Sequence, residues 1–214
     1  MKSKTTPLLV AIVGGSGAGK SWLADHLQAL LGEKAARLSL DDFYRDRSHL
    51  PVGRRTGINY DHPRAIDWER MEQTLGDCLA GRITQIPQYD FATHSRRSTE
   101  KILRPKPLIL VDGLWLLRRP AMRRLFHLSI FIDCPPQTRL NRRMARDLLS
   151  RRRSRASVER QFRETVEPMN ALHVVPQARW AEMRLQAPIK QAEVRRLAGE
   201  LIAKMRIIIH DAKI

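Results

Sequence analysis

Gly14 to Ser21 reads "GGSGAGKS", a lysine and a hydroxyl directly after a run of small residues. The spacing G-x-x-x-x-G-K-[ST] is a phosphate cradle. Gly15, Gly17 and Gly19 let the chain turn tightly, so that backbone groups of Gly15, Ser16, Gly17, Ala18, Gly19, Lys20, Ser21 and Trp22 can surround the phosphates of ATP. Lys20 is placed to reach the β and γ phosphates, and the Ser21 hydroxyl to sit on Mg²⁺. Such a loop needs a second acid for the metal. "LILVDG" offers Asp112 at the end of an apolar run, where a carboxylate serves either the metal or a turn.

Proton transfer needs a carboxylate as well. "LSLDDFYRD" ends another apolar run with Asp41 and Asp42; either suits deprotonation of an attacking hydroxyl, and a solvated acidic turn is the competing reading. "NYDHPRAID" and "QYDFATHSR" each mix aromatic, carboxylate and histidine groups. Asp61 suits vicinal hydroxyls, and Tyr60, Tyr89, Phe91 and His94 suit a planar ring by stacking and hydrogen bonding, whereas His62 before Pro63 shapes a turn. Arg139, Arg142, Arg143 and Arg146 recur at spacings of three and four, which puts a basic face on a helix, and Arg151, Arg152, Arg153 and Arg155 follow closely.

These groups require elements to position them. Short β-rich runs alternate with helical patterns, the signature of an α/β fold with a parallel sheet flanked by helices. Strands are expected at Leu8–Val13, Ala36–Leu40, Leu108–Val111, Leu128–Ile132 and Ala181–Gln186. Helices are expected after Gly19 as far as Gly32, near Ala65–Ala80, Pro136–Leu149 and Ser157–Leu172, and from about Ile189 to Ile207. Arg82–Arg104 reads as a hairpin projecting from the sheet. No composition break divides the chain, so one domain over residues 1–214 is expected.

Composition narrows the partners. The formal charge of +17 implies a polyanionic partner, an anionic substrate or an arginine-rich surface. A nucleic-acid partner is disfavoured, because aromatic residues make up only 6% and no RNA or DNA motif accompanies the charge. The apolar runs are shorter than the ~20 residues of a membrane span and the first residues do not resemble a signal peptide, so a cytoplasmic protein with no membrane partner is expected. Cys78 and Cys134 lack metal-site spacing and read as small buried hydrophobes.

Taken together, "GGSGAGKS", "DDFYR", "NYDHPRAID", "YDFATHSR", "VDG" and "TRLNRRMARDLLSRRRS" resemble the uridine kinase (uridine–cytidine kinase) family, within the phosphoribulokinase/uridine kinase group of P-loop kinases. The resemblance runs nearly end to end and continues through "QFRETVEPMNALHVVPQARWAEM". It implies transfer of the γ-phosphoryl of Mg-ATP to the 5′-hydroxyl of uridine or cytidine, and self-association. Asp41 is then the general base, Asp61 and Arg143 the ribose ligands, and Tyr89, Phe91, His94, Arg153 and Gln161 the pyrimidine ligands. Ser21 and Asp112 serve the metal, and Arg146 and Arg151 belong to a lid, about 139–160, that meets the transferring phosphoryl group.

Some positions depart from the family pattern. Asp112 stands where Glu is usual, and Arg151, Arg152, Arg153, Ser154 stand for Arg-Gly-Arg-Asp, removing a flexible point and an acidic partner for the arginines. Arg184 in the last strand suggests an exposed edge. Two rival readings follow: the same chemistry on another small alcohol (a different nucleoside, a vitamin precursor, a sugar or sugar phosphate), or a nucleic-acid-associated NTPase.

Overall fold

The computed structural model describes residues 6–150 and 153–211. Among these, the strands in chain order are β1 (Leu8–Gly14), β2 (Ala35–Ser39), β3 (Thr84–Ile86), β4 (Tyr89–Asp90), β5 (Ser95–Arg96), β6 (Lys101–Leu103), β7 (Leu108–Gly113), β8 (Leu128–Asp133) and β9 (Met183–Gln186). The helices are α1 (Lys20–Leu31), α2 (Val52–Thr56), α3 (Trp68–Leu79), α4 (Pro120–Arg123), α5 (Pro136–Ser150), α6 (Arg155–Gln161), α7 (Glu167–Met169) and α8 (Gln191–Asp211).

Five strands form one parallel sheet in the order β2-β7-β1-β8-β9. β1 explains why its sequence is continuously apolar rather than alternating. Leu9, Ala11 and Val13 face a core shared with Phe43, Met71, Leu75 and Trp115, while Leu8, Val10 and Ile12 face another shared with Leu23, Leu27, Leu197 and Leu201. Both faces are covered by other elements, as parallel sheets require. Burying each such leucine, isoleucine or valine contributes roughly 1.5–3 kcal/mol, so the sheet is a rigid frame for the loops at its carboxyl edge. The edge strand β9 carries Arg184 outward, as its sequence suggests; Arg184 Nε donates to Ala178 O at 3.1 Å.

The expected hairpin is two separate antiparallel ladders, β3 with β6 and, further out, β4 with β5. Helix α3 starts later than the apolar spacing suggests because Asp67 caps it, its Oδ1 accepting from Arg70 N at 3.2 Å. The largest difference lies after α6. The spacing predicts Ser157–Leu172, but the helical run continues through a π turn at Phe162–Val166, α7, a second π turn at Asn170–Val174 and a 3₁₀ turn at Val175–Trp180. Pro168 lies within this run and has no N–H for the preceding turn, a circumstance that wide turns accommodate. Buried Gln177 then ties the run to the segment after β7, donating to Leu114 O at 2.7 Å and accepting from Leu117 N at 2.8 Å.

Candidate active site

The phosphate loop leaves the middle strand β1 and enters α1. Gly17 and Gly19 have φ of +82° and +104°, conformations that side chains resist. Crowding adds a second constraint: a Cβ at Gly17 would lie 2.5 Å from Arg139 O, and one at Gly15 would lie 2.6 Å from Asn170 Oδ1. The loop is thus clamped by α5 and by the helical run after α6. Arg142 tightens the clamp, its Nη1 donating to Ala18 O at 3.1 Å.

Lys20 Nζ donates to Gly15 O at 3.0 Å, and burial lowers its pKa while Asp41 and Asp112 oppose that fall. Ser21 Oγ donates to Asp112 Oδ2 at 3.0 Å, so the acid at position 112 reaches the hydroxyl of the phosphate loop. Two hard oxygen groups at the phosphate loop fit Mg²⁺, which keeps its waters and is carried largely by phosphates. Among the described residues there is no cluster of three or more His, Cys, Asp or Glu side chains that could hold a metal ion.

One cleft of about 1200 Å³ joins this loop to the other predicted residues. On its phosphate-loop side lie Ser16, Gly17, Gly19, Lys20, Ser21 and Trp22; Ala18 is buried behind them, and Gly15 is also absent from the cleft wall. Asp41 and Asp112 line the cleft between the two halves. Asp41 gets there because the chain turns into a short 3₁₀ helix after β2, where Ser39 Oγ accepts from Asp41 N at 3.3 Å. Asp42 is not part of the cleft wall. Burial, then the neighbouring Asp41 charge, pushes its carboxyl up to about 6.

On the far side Tyr60, Tyr89, Phe91 and His94 form the wall, with Tyr44 among them. Tyr60 and His94 stack with ring centroids 4.4 Å apart and planes 10° from parallel. His94 adopts φ of +51°, an unusual conformation for a residue with a side chain. Tyr44 braces the group: its hydroxyl donates to Tyr60 O at 3.2 Å and its ring lies 5.0 Å from Tyr89. Burial raises the Tyr89 pKa, keeping the phenol a protonated donor. His62 turns elsewhere and, as its position before Pro63 suggests, caps a turn by accepting from Arg64 N at 3.0 Å.

Asp61 closes the acceptor side, its Oδ2 accepting from Gln161 Nε2 at 3.3 Å and Thr165 Oγ1 at 3.2 Å. Arg143 joins both halves of the cleft, donating through Nη1 to Ser16 Oγ at 2.9 Å and through Nη2 to Gln161 Oε1 at 2.8 Å. Arg153 donates to the same Gln161 oxygen. Helix α5, which carries Arg139, Arg142, Arg143 and Arg146, does not turn its whole basic face to solvent: Arg139 and Arg143 are buried, and Arg139 pairs with Glu167. Burial lowers the pKa of Arg143, with Asp61 and Asp147 opposing. Arg146 lines the cleft, whereas Arg151 and Arg152 lie outside the described residues.

The motif reading gave three contributors no role. Asp147 supplies the acidic partner that the change to Ser154 appeared to remove: wholly buried, it meets Arg143, Arg146 and Arg153. Its signal was present in "RMARD". Arg96, anchored to Asp67 Oδ2 at 2.9 Å and Tyr44 O at 3.0 Å, holds the aromatic loop. Arg37, in β2, donates through Nε to Asp112 Oδ1 at 2.9 Å.

A parallel sheet whose middle strand feeds a G-x-x-x-x-G-K-S loop, with an acid at the end of the adjacent strand and an acceptor cleft beyond, defines a P-loop kinase. The model of the phosphoribulokinase/uridine kinase family matches residues 9–192, and the chain belongs to that family. It is similar to the uridine kinase of Chloroflexus aggregans, with 36% identity over 178 residues, 83% of this chain and 85% of that protein. It is 37% identical over 188 residues to the uridine kinase of Tolumonas auensis, covering 85% and 88%. Among solved structures, phosphoribulokinase from Rhodobacter spheroides shares the fold with a TM-score of 0.63 and 16% identity, over 86% of this chain and 71% of that one. The protein is therefore an enzyme, a kinase that uses ATP to phosphorylate a small organic substrate. Among the described residues no helix is long and apolar enough to cross a membrane.

Proposed function

We propose that the acceptor is a pyrimidine nucleoside, uridine or cytidine, phosphorylated on its 5′-hydroxyl. The observation that carries this reading is the shared cleft: Asp61, braced by Gln161 and Thr165, stands beside a wall of Tyr60, Tyr89, Phe91 and His94 and opens onto Lys20. A carboxylate suits ribose hydroxyls and a ring-and-imidazole wall suits a planar base. The two relatives named above, both uridine kinases, support the same acceptor.

In this reading Asp61 and Arg143 orient the ribose, while Gln161 and Arg153 meet the base. Asp41 accepts the proton of the 5′-hydroxyl as its oxygen attacks phosphorus. Asp42 is absent from the cleft wall and so does not stand beside it as a second base. Lys20, Arg146 and Arg151 offer positive charge to the equatorial oxygens, where the charge of the transferring group lies. Ser21 and Asp112 would hold Mg²⁺, which would supply further charge neutralisation at the phosphates when bound. Closing of the segment with Arg146 and Arg153 keeps water from the γ-phosphoryl group, favouring transfer over hydrolysis.

A second reading has one specific observation in its favour. Arg97 and Arg160 also line the cleft, and both are exposed, which suits an acceptor carrying its own anionic group, such as a sugar phosphate. A panel of nucleosides, sugars and sugar phosphates assayed with Mg-ATP for ADP release separates the two. Turnover with uridine or cytidine above all others is expected; turnover confined to a phosphorylated or carboxylated alcohol sinks the nucleoside assignment.

A further inference from the structure

Asp112 is held from two sides. Its Oδ2 accepts from Ser21 Oγ at 3.0 Å, and its Oδ1 accepts from Arg37 Nε at 2.9 Å. The register of β2 on β7 places Ser39 opposite Asp112, and Arg37, two residues earlier, points to the same face of the sheet as Ser39. The far end of the guanidinium meets Asp25 on α1, the helix that also carries Ser21. A ring of contacts thus runs Ser21, Asp112, Arg37, Asp25 and back along α1. Asp112 is buried, with 3% of its side chain exposed, so the Arg37 charge acts on it with little screening; Asp25 is 57% exposed and is more weakly coupled.

We infer that Arg37 is a positioning residue for the metal subsite, an inference that rests on Ser21 and Asp112 serving Mg²⁺. It fixes the direction of the Asp112 carboxylate through Nε–H and offsets its charge. The protein then offers a divalent cation a nearly neutral pair, and the phosphates of the nucleotide provide the attraction that retains it. Partners beyond the ligands commonly orient the ligating groups and tune the site. Asp25 moderates the effect by sharing the guanidinium.

The test uses Mn²⁺ as the probe, with free Mn²⁺ followed by electron paramagnetic resonance in titrations of the full chain with and without ADP. Arg37→Gln removes the charge and keeps an N–H donor that can still orient Asp112, so Mn²⁺ retention in the ADP complex should tighten by roughly tenfold, the scale expected when a cation beside a buried carboxylate is removed. Asp25→Asn, a change at an exposed position, leaves the Arg37 charge uncompensated and should weaken retention. Binding by Arg37→Gln within about twofold of the wild type, or weaker, overturns the inference, as does tighter binding by Asp25→Asn. If the wild-type ADP complex retains no Mn²⁺, the metal subsite itself falls and the role of Arg37 with it, an outcome distinct from a variant-specific failure.

Discussion

Arg146 Nε donates to Asp147 Oδ1 at 2.8 Å, so two sequence neighbours form an ion pair in which the carboxylate is wholly buried and the guanidinium reaches the cleft. The same carboxylate lies 3.5 Å from Arg143 Nε and 3.9 Å from Arg153 Nη1, and Asp147 O accepts from Arg153 N at 3.3 Å. Asp147 therefore binds together the arginines assigned to ribose, base and phosphoryl group. Asp147→Ala leaves the buried Arg143 short of an anion, and a loss of about 3 kcal/mol of stability is expected from breaking a buried pair. Kinetics below the melting transition should show a higher acceptor KM and a lower kcat with little change in ATP affinity. Wild-type kinetics in the folded variant would reduce Asp147 to a structural part.

Asp42 gives a pH signature. Its folded-state pKa of about 6 lies above the ordinary carboxylate value, so the folded protein holds the extra proton and stability declines as pH rises through about 4 to 6. Asp42→Asn removes the buried charge. The variant should gain on the order of 1 kcal/mol over the wild type at pH 8, after allowance for partial exposure, and nothing at pH 4. Chemical denaturation at the two pH values checks this; an equal gain at both contradicts the assignment.

Much of the sheet was legible because β1, β7 and β8 are buried on both faces and read as unbroken apolar runs bounded by turns. The contiguous motifs were legible for a different reason: Lys20, Ser21, Asp41, Asp61 and His94 each sit in a short segment whose residue types suit one ligand. What stayed hidden depends on packing between distant segments. Arg37 acquires its partner only through the β2–β7 register, and Arg139 is buried because α5 packs on the phosphate loop. The π turns around Pro168 have no periodicity of their own, so the extension to Trp180 could not be counted out residue by residue.

The clamp on the phosphate loop makes Gly17→Ala a sharp test. The new Cβ would meet the backbone of Arg139 at 2.5 Å, and φ of +82° would be strained by about 1–2 kcal/mol before any contact is counted. A backbone atom inside α5 cannot swing aside as a long side chain does, so the loop must move. Titration calorimetry should show ATP affinity reduced at least about tenfold, with circular dichroism showing the helices retained. Unchanged ATP affinity means that α5 does not constrain the loop.

Gln161 connects the two sides of the proposed acceptor site. Its Oε1 accepts from Arg143 Nη2 at 2.8 Å and from Arg153, and its Nε2 donates to Asp61 Oδ2 at 3.3 Å, so the amide can face only one way. Gln161→Leu keeps much of the volume and removes all three bonds. Hydrogen bonds to charged groups contribute about 1.5–3 kcal/mol, so losing the alignment of Asp61 with Arg143 should raise acceptor KM by roughly ten- to a hundredfold. The phosphate loop is touched only indirectly, through the Arg143 bond to Ser16, so ATP KM should stay close to the wild-type value. Gln161→Glu is expected to fail as well despite attracting both arginines, because the new carboxylate repels Asp61 across the same contact. Steady-state kinetics of both variants decide the matter: a rise in ATP KM with acceptor KM unmoved would place Gln161 on the nucleotide side and dismantle the proposed ribose site.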